Sequence, residues 1–262
     1  MRPLAYERSK LFDQAAEHYD RCRPRYPDAL FDEVLGPEPA SLTVLDVGCG
    51  TGIASRPMVA RGAKVLGVEV APRMAEIARS HGVDVELSAF EDWDAAGRTF
   101  DCVASAQAWH WLDLPVATSK AASLLRPGGR LCLIWNAGCQ PGDLADALEE
   151  VYANVLPSGS HRVFRGYAAN RPPDLRSGLD SELDALSAVS EFGAPTTKWF
   201  PWTRPYQRDE WLEQLLSRSD HTALEPEVLD RLLEGIGAAI DDHGGSFVMH
   251  FETVLITATR LG

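Results

Sequence analysis

Val44 to Gly52, Val-Leu-Asp-Val-Gly-Cys-Gly-Thr-Gly, is the stretch on which the reading of this chain turns. A short apolar run ends in an acid, Asp46, and glycines then occupy alternate positions, Gly48, Gly50 and Gly52. The apolar run predicts a buried strand. The glycines predict a turn in which the missing Cβ atoms let the backbone bend sharply and let a ligand approach it closely. A helix is predicted from about Ile53 to Ala60, so strand, glycine turn and helix follow one another directly.

Three kinds of ligand use such turns. A dinucleotide fingerprint requires Gly-x-Gly-x-x-Gly, and Ile53 stands where its third glycine belongs. A phosphate loop requires a lysine after its last glycine, and none follows Gly52. The pattern Leu-Asp-x-Gly-x-Gly-x-Gly instead resembles the first motif of class I S-adenosylmethionine-dependent methyltransferases, in which the loop takes the methionine part of the cofactor. That resemblance implies a Rossmann-like α/β fold. Its seven-stranded, mostly parallel sheet is sandwiched by helices, with an N-terminal helical cover and an insertion after the fifth strand. It places Asp46, Gly48, Cys49, Gly50, Thr51 and Gly52 around S-adenosyl-L-methionine.

The next predicted strand, Lys64 to Glu69, ends in an acid about 20 residues beyond the turn. A carboxylate there can accept from both hydroxyls of a ribose, which makes Glu69 the candidate for that contact, with Val70 beside it. Ala71-Pro72-Arg73-Met74 opens a helix with proline in its first turn, and Met74 is a candidate to pack near the adenine. After the third strand, the methyltransferase resemblance implies an acid that accepts from the adenine amino group. Ala89 occupies that place in Ser88-Ala89-Phe90-Glu91, so adenine recognition passes to the Phe90 ring and backbone and to the Glu91 side chain.

The fourth strand exits into Ser105-Ala106-Gln107-Ala108-Trp109-His110-Trp111. Strand ends at the carboxyl edge of such a sheet face the ligand crevice, which puts Ala106 and Gln107 near the methionine end. His110 is the candidate for acid-base work, since its ordinary pKa is near neutral; a packed histidine that orients a tryptophan is the alternative reading. Ala-x-His-Trp resembles the methyltransferase type 11 subgroup of small-molecule enzymes that includes the trans-aconitate methyltransferases. The segment from Phe12 to Pro27 is similar to the entry helix of that subgroup, which covers the cofactor. By that resemblance Tyr19 and Arg25 reach the methionine end, with Arg21 and Arg23 as competitors for its carboxylate.

Composition narrows the partners. The chain has 262 residues and a net charge of -13, a field that opposes binding to a polyanion. A small-molecule substrate is expected, with no nucleic acid and no membrane partner, in a monomer or homodimer. Five cysteines without a CxxC pair read as reduced, mostly buried thiols of a cytoplasmic protein. Neither an apolar leader nor a run long enough to span a bilayer is present in the sequence, so secretion and membrane spanning are not expected. Nor is there an HExxH or a Gly-x-Ser-x-Gly, so no metal site or serine nucleophile is expected.

Strand and helix patterns alternate through the first half, the signature of a mostly parallel sheet. The predicted strands are Thr43 to Asp46, Lys64 to Glu69, Asp84 to Ser88, Phe100 to Ser105 and Arg130 to Trp135. A helix from about Val116 to Leu125 is expected to stop at Arg126-Pro127-Gly128-Gly129. The expected division is a single methyltransferase domain. It comprises a helical cover (1–40), a cofactor-binding core (41–140), a substrate-side insertion of short amphipathic pieces (141–196), and C-terminal helices with closing strands (197–262). Within the insertion, His161 to Tyr167 mixes cations and aromatics, which fits either recognition of an anionic substrate or a solvated basic face.

The function expected is methyl transfer from S-adenosyl-L-methionine to a small molecule, with oxygen slightly favoured over nitrogen or carbon. The alternatives are a protein that binds the cofactor without transfer, serving as a regulatory subunit or partner, and a nicotinamide-dependent oxidoreductase.

Overall fold

A computed structural model describes residues 13, 15–156 and 179–262. His161 to Tyr167 lies outside the described residues. Seven strands form one sheet in the order β3-β2-β1-β4-β5-β7-β6. They are β1 (Thr43–Val47), β2 (Lys64–Glu69), β3 (Asp84–Leu87), β4 (Phe100–Ala106), β5 (Leu125–Cys139), β6 (Thr196–Gln207) and β7 (Ser246–Thr259). β1 pairs in parallel with β2 on one side and β4 on the other, with Asp46 opposite Gly67 and Ala104. β7 runs antiparallel to both β5 and β6.

The period of two along these strands builds two cores. Leu45, Val47, Val103, Leu131 and Leu133 face one layer of helices, while Val44, Cys102, Ala104, Cys132 and Ile134 face the other. Strands buried on both faces are apolar along their length, and β1 follows this from Val44 to Val47 except at Asp46. The helices preceding and crossing over these strands are α1 (Ala16–Cys22), α2 (Asp28–Leu35), α3 (Ser55–Ala60), α4 (Pro72–Ser80) and α5 (Leu114–Leu124). α5 starts where the Asp113 side chain accepts from the Val116 N–H at 3.3 Å. It stops one residue before the expected end, because Leu125 already pairs with Phe100 of β4 and Pro127 cannot extend a helix.

Beyond the expected pattern, β5 continues past Trp135 to Cys139, held along its length by β7. β6 likewise extends to Gln207. Its prolines, Pro201 and Pro205, are tolerated because β6 is an edge strand with one free side. The overhanging ends carry a third apolar cluster, in which Phe247, Met249 and Phe251 of β7 meet Leu144, Leu148 and Tyr152, Trp211 and Leu215, and Leu232 and Ile236. Those residues belong to α6 (Gly142–Val155), α8 (Arg208–Leu216) and α10 (Pro226–Asp242); α7 (Asp180–Ser187) and the short α9 (Ser219–Thr222) complete the set among the described residues. The insertion therefore holds a 14-residue helix where short pieces were expected.

The cover α1 is pinned on two sides. Ala16 packs with Ala71 and Met74 of the core. The His18 Nε2 donates to the Glu213 carbonyl of α8 at 2.6 Å. Asp20 forms an ion pair with Arg56 of α3 at 2.5 Å. All five cysteines are buried and free of disulfides. Among the described residues no helix is long and apolar enough to cross a membrane.

Candidate active site

A cavity of about 450 Å³ lies at the carboxyl ends of β1, β2 and β4, under α1 and α9. Tyr19, Asp46, Gly48, Cys49, Gly50, Thr51, Glu69, Val70, Met74, Phe90, Glu91, Ala106, Gln107 and His110 all line it. Residues spread over ninety positions thus converge because β1, β2 and β4 are parallel neighbours and end at one edge.

The glycine turn is shaped for close approach. Gly48 has φ +67°, and a Cβ there would stand 2.5 Å from that of Ala108, so only glycine fits between the two strand exits. Gly52 does not line the cavity. At φ +84° it packs against Ala78 and Val83, seating the turn on α4 and the chain beyond it. Cys49 is buried and burial holds its thiol well above the ordinary range, which leaves it without nucleophilic character.

Glu69 is 8% exposed. Its Oε2 accepts from the Gly50 N–H at 2.8 Å, and its Oε1 accepts from Val70 and Ala71 at 2.8 and 2.9 Å. Burial raises its pKa, and these three amides oppose the rise. A carboxylate has about four lone-pair positions. Three are in use, so a bidentate ribose contact requires one amide to give way.

Asp46 is 1% exposed and accepts at Oδ2 from Ser55 Oγ at 2.5 Å. Its Oδ1 is buried with no hydrogen-bond partner among the described residues. Burial pushes its pKa to about 7, the Glu69 charge adds to this, and the Ser55 bond opposes it. A buried orphan acceptor in a ligand cavity is a place for a donor that a ligand brings.

Gln107 takes φ +58°, which an L side chain rarely adopts. It is held there by its N–H to the Ile134 carbonyl at 2.9 Å and its Nε2 to the Asn136 carbonyl at 2.9 Å. Phe90 is buried against Trp109, with ring centroids 6.0 Å apart. Glu91 Oε1 accepts from the Asp113 N–H at 3.2 Å. His110 sits in a single helical turn, Trp109–Trp111, where its Nδ1 accepts from the Trp135 indole N–H at 3.2 Å.

Arg25 is not brought to the cavity. Its guanidinium donates to the Asp20 carbonyl at 2.8 Å and lies 3.7 Å from the Asp20 carboxylate, half exposed. Arg23 takes the wall position, its guanidinium 4.7 Å from the Tyr19 ring centre. The reason is local: α1 ends at Cys22, and the extended backbone at Arg23 redirects the chain across the cavity mouth.

Several lining residues had no sequence signal. Tyr26 and Asn136 line the wall, and the Asn136 Nδ2 donates to the Arg25 carbonyl at 3.0 Å, fastening the cover to β5. Arg218 and Asp220 arrive from the far end of the chain. Asp220 Oδ1 accepts from the His221 N–H and Nδ1, both at 3.0 Å, and His221 Nε2 lies 2.9 Å from the Tyr152 hydroxyl. Burial lowers the His221 pKa, so the neutral ring donates to Asp220 and accepts from Tyr152. Among the described residues no group of His, Cys, Asp and Glu is arranged to hold a metal ion.

Residues 44–129 match the family model of a methyltransferase domain. The chain is 38% identical over 130 residues to an uncharacterised methyltransferase of Mycobacterium tuberculosis, covering 49% of this chain and 53% of that protein. It is 39% identical over 163 residues to the ubiquinone biosynthesis O-methyltransferase of Xanthomonas axonopodis pv. citri, covering 58% of this chain and 66% of the relative. Residues 44–129 form a domain of the class I S-adenosylmethionine-dependent methyltransferases. The chain spans about half the length of the mycobacterial relatives that it matches.

Solved methyltransferases share the fold. A provisionally assigned type II methyltransferase of Anaeromyxobacter dehalogenans superposes with a TM-score of 0.61 at 20% identity, over 91% of this chain and 97% of that one. The phosphoethanolamine N-methyltransferase 2 of Haemonchus contortus, solved with phosphomonomethylethanolamine and S-adenosylhomocysteine, superposes with a TM-score of 0.56 at 15% identity, over 98% of this chain and 59% of that one. The residues here suit the methyltransferase cofactor: a glycine cradle that a Cβ would fill, a carboxylate at the end of β2 and an orphan acceptor at Asp46.

Proposed function

We propose that this chain transfers a methyl group from S-adenosyl-L-methionine to an oxygen of a small molecule. The observation that carries the reading is the pairing of Gly48, which cannot hold a Cβ, with the buried Asp46 Oδ1, which has no hydrogen-bond partner among the described residues, in one cavity that Glu69 also lines.

Bound there, the cofactor supplies an electrophilic methyl group on a positively charged sulfur. Glu69 takes a ribose hydroxyl, and Val70 and Met74 flank the nucleoside. Phe90 and Glu91 border the adenine end. Asp46, Tyr19 and Arg23 face the methionine end, where Arg23 replaces Arg25 as the partner for a carboxylate. Asp46, Glu69, Glu91 and Asp220 line the cavity together with Arg23 and Arg218, so its acids outnumber its cations. That lining favours the cationic cofactor over its neutral product.

His110, Trp111, Asn136, Arg218 and Asp220 form the remaining wall, and we assign them to the acceptor. Displacement at a methyl carbon is in line, so the chain has to align two reactants and exclude water. The cover α1 and the short α9 supply that enclosure. The likeness to ubiquinone biosynthesis O-methyltransferases supports an oxygen acceptor.

The test is calorimetric titration with S-adenosylmethionine and S-adenosylhomocysteine, followed by a radiolabelled-methyl screen of hydroxylated small acids. Saturable binding with label transfer supports the reading. Binding without transfer to any acceptor supports a regulatory cofactor-binding protein instead, and absence of binding overturns the proposal.

A further inference from the structure

One side chain that is not itself among the cavity-lining residues, Arg56, joins the glycine turn to the cover helix α1. Thr51 stands between Gly50 and Gly52, whose φ values of +56° and +84° lie in the region that glycine adopts readily. Two permissive residues in a row of three leave this peptide segment loose unless a contact from outside fixes it. Arg56, in the first turn of α3, supplies that contact: its Nη2 donates to the Thr51 carbonyl at 2.5 Å. The same guanidinium reaches Asp20 of α1, with Nη2 to Oδ1 at 2.5 Å and Nη1 to Oδ2 at 3.3 Å. A planar fork suits this double duty, because its donors are fixed relative to one another.

The other polar ties of α1 run to α8 and are more exposed. Arg21 lies 3.7 Å from the Glu213 carboxylate with both side chains more than half exposed, an arrangement that contributes little. The His18 bond to the Glu213 carbonyl is likewise at the surface. Arg56 and Asp20 are 20% and 15% exposed, the least solvated charge pair of α1 among the described residues. Burial acts to raise the Asp20 pKa, and the bonds from Arg56 overcome it and hold the carboxyl below its ordinary range. Parting the two would leave a poorly hydrated charge on each side, with only Arg25, 3.7 Å away and half exposed, to answer Asp20.

We propose that Arg56 is a positioning residue for the cofactor, pinning the Thr51 carbonyl and latching α1 over the cavity through Asp20, so that parting of this pair governs release of the bound nucleoside; this rests on the methyltransferase reading above. α1 and the chain just after it bring Tyr19, Arg23, Pro24 and Tyr26 to the cavity, so displacing α1 opens a whole wall. The two duties of Arg56 separate by substitution. Asp20→Asn removes the charge on the cover and leaves the Arg56 bond to Thr51 in place. Arg56→Gln removes the latch and also frees the turn, which then has to be ordered on binding.

The experiment is release of tritiated S-adenosylhomocysteine from the full chain, chased with an excess of the unlabelled compound. Asp20→Asn is expected to release it roughly 10-fold faster than the wild type without slower association. Arg56→Gln is expected to release it at least as fast and to bind it more slowly as well. Arg21→Ala, which cuts the exposed tie to α8, should stay within about twofold of the wild type. Wild-type release in Asp20→Asn overturns the proposal, as does an equal acceleration in Arg21→Ala. If Arg56→Gln does not fold, Asp20→Asn decides alone.

Hydrogen exchange read by mass spectrometry distinguishes a latch from general loss of structure. With S-adenosylhomocysteine bound, the amides of α1 are expected to exchange roughly 10-fold faster in Asp20→Asn than in the wild type, and those of β1 at the same rate in both. Equal exchange in α1, or faster exchange in β1 in step with α1, overturns the proposal. Absence of S-adenosylhomocysteine binding to the wild type removes the methyltransferase reading and the cofactor role of Arg56 with it. Binding by the wild type with unchanged release in Asp20→Asn overturns the latch alone.

Discussion

The two walls of the cavity are built by different means. One is the edge of the parallel sheet, where Asp46, Gly48, Gly50 and Glu69 lie within 24 positions of one another and are joined by hydrogen bonds such as that from the Gly50 N–H to the Glu69 carboxylate. The other is the cover side, where Arg23, Asn136 of β5, and Arg218 with Asp220 meet from three separate parts of the chain. The first wall is rigid and offers little room for substitution. The second is held by individual side-chain contacts, including Asn136 to Arg25 and His18 to Glu213. A cofactor common to a family suits the first wall, and an acceptor that differs between members suits the second.

Substitution at Gly48 presses hardest on this contrast. Gly48→Ala combines an unfavourable positive φ with a 2.5 Å collision against Ala108, and is expected to lower stability by about 3 kcal/mol and to abolish S-adenosylhomocysteine binding. Urea unfolding and calorimetry check both effects. Wild-type stability with intact binding would show that the sheet-edge wall yields as readily as the cover.

Asp46 tests the same wall through pH. Its folded pKa of about 7 lies above the ordinary carboxylate value of 3.8. Between those values the native state keeps a proton that the unfolded state has lost, so this group's contribution to stability falls as pH rises from about 4 to about 7. Asp46→Asn should remove that slope and gain about 2 kcal/mol relative to the wild type above pH 7, after allowance for the weakened Ser55 bond. The difference between the two stability curves measured across that window isolates the effect. Parallel curves would contradict the burial argument.

Glu69→Ala takes away a carboxylate that organises three amides as well as a ribose contact. It should weaken S-adenosylhomocysteine binding by about 2 kcal/mol, roughly 30-fold. The smallest effect belongs to the cover. Arg23→Ala is expected to weaken binding about 10-fold, whereas Arg25→Ala, whose guanidinium is turned to Asp20, should leave it within about twofold. The reverse order would return the carboxylate contact to Arg25.

The sheet-edge wall was legible in the sequence because its logic is local. The short apolar run of β1, glycines at fixed offsets and an acid closing β2 each follow from neighbours a few positions away, and the fold places them where the pattern implies. The length of β5 was not legible, since Asn136 to Cys139 become strand only through pairing with β7, more than a hundred residues later. Arg218 and Asp220 carried no signal, because a four-residue helix without a motif is placed by tertiary packing. Arg23 and Arg25 differ by two positions, and the choice between them depends on where α1 ends and on the capture of Arg25 by Asp20. The orientation of the His110 ring depends on Trp135 of β5, 25 positions away.

The most direct test of the central claim is parallel calorimetric titration of the wild type and Glu69→Ala with S-adenosylhomocysteine and NADH. The account predicts saturable binding of S-adenosylhomocysteine by the wild type, weakened roughly 30-fold in Glu69→Ala, and no binding of NADH by either protein. Preference for NADH, or equal affinity of both proteins for S-adenosylhomocysteine, would contradict it.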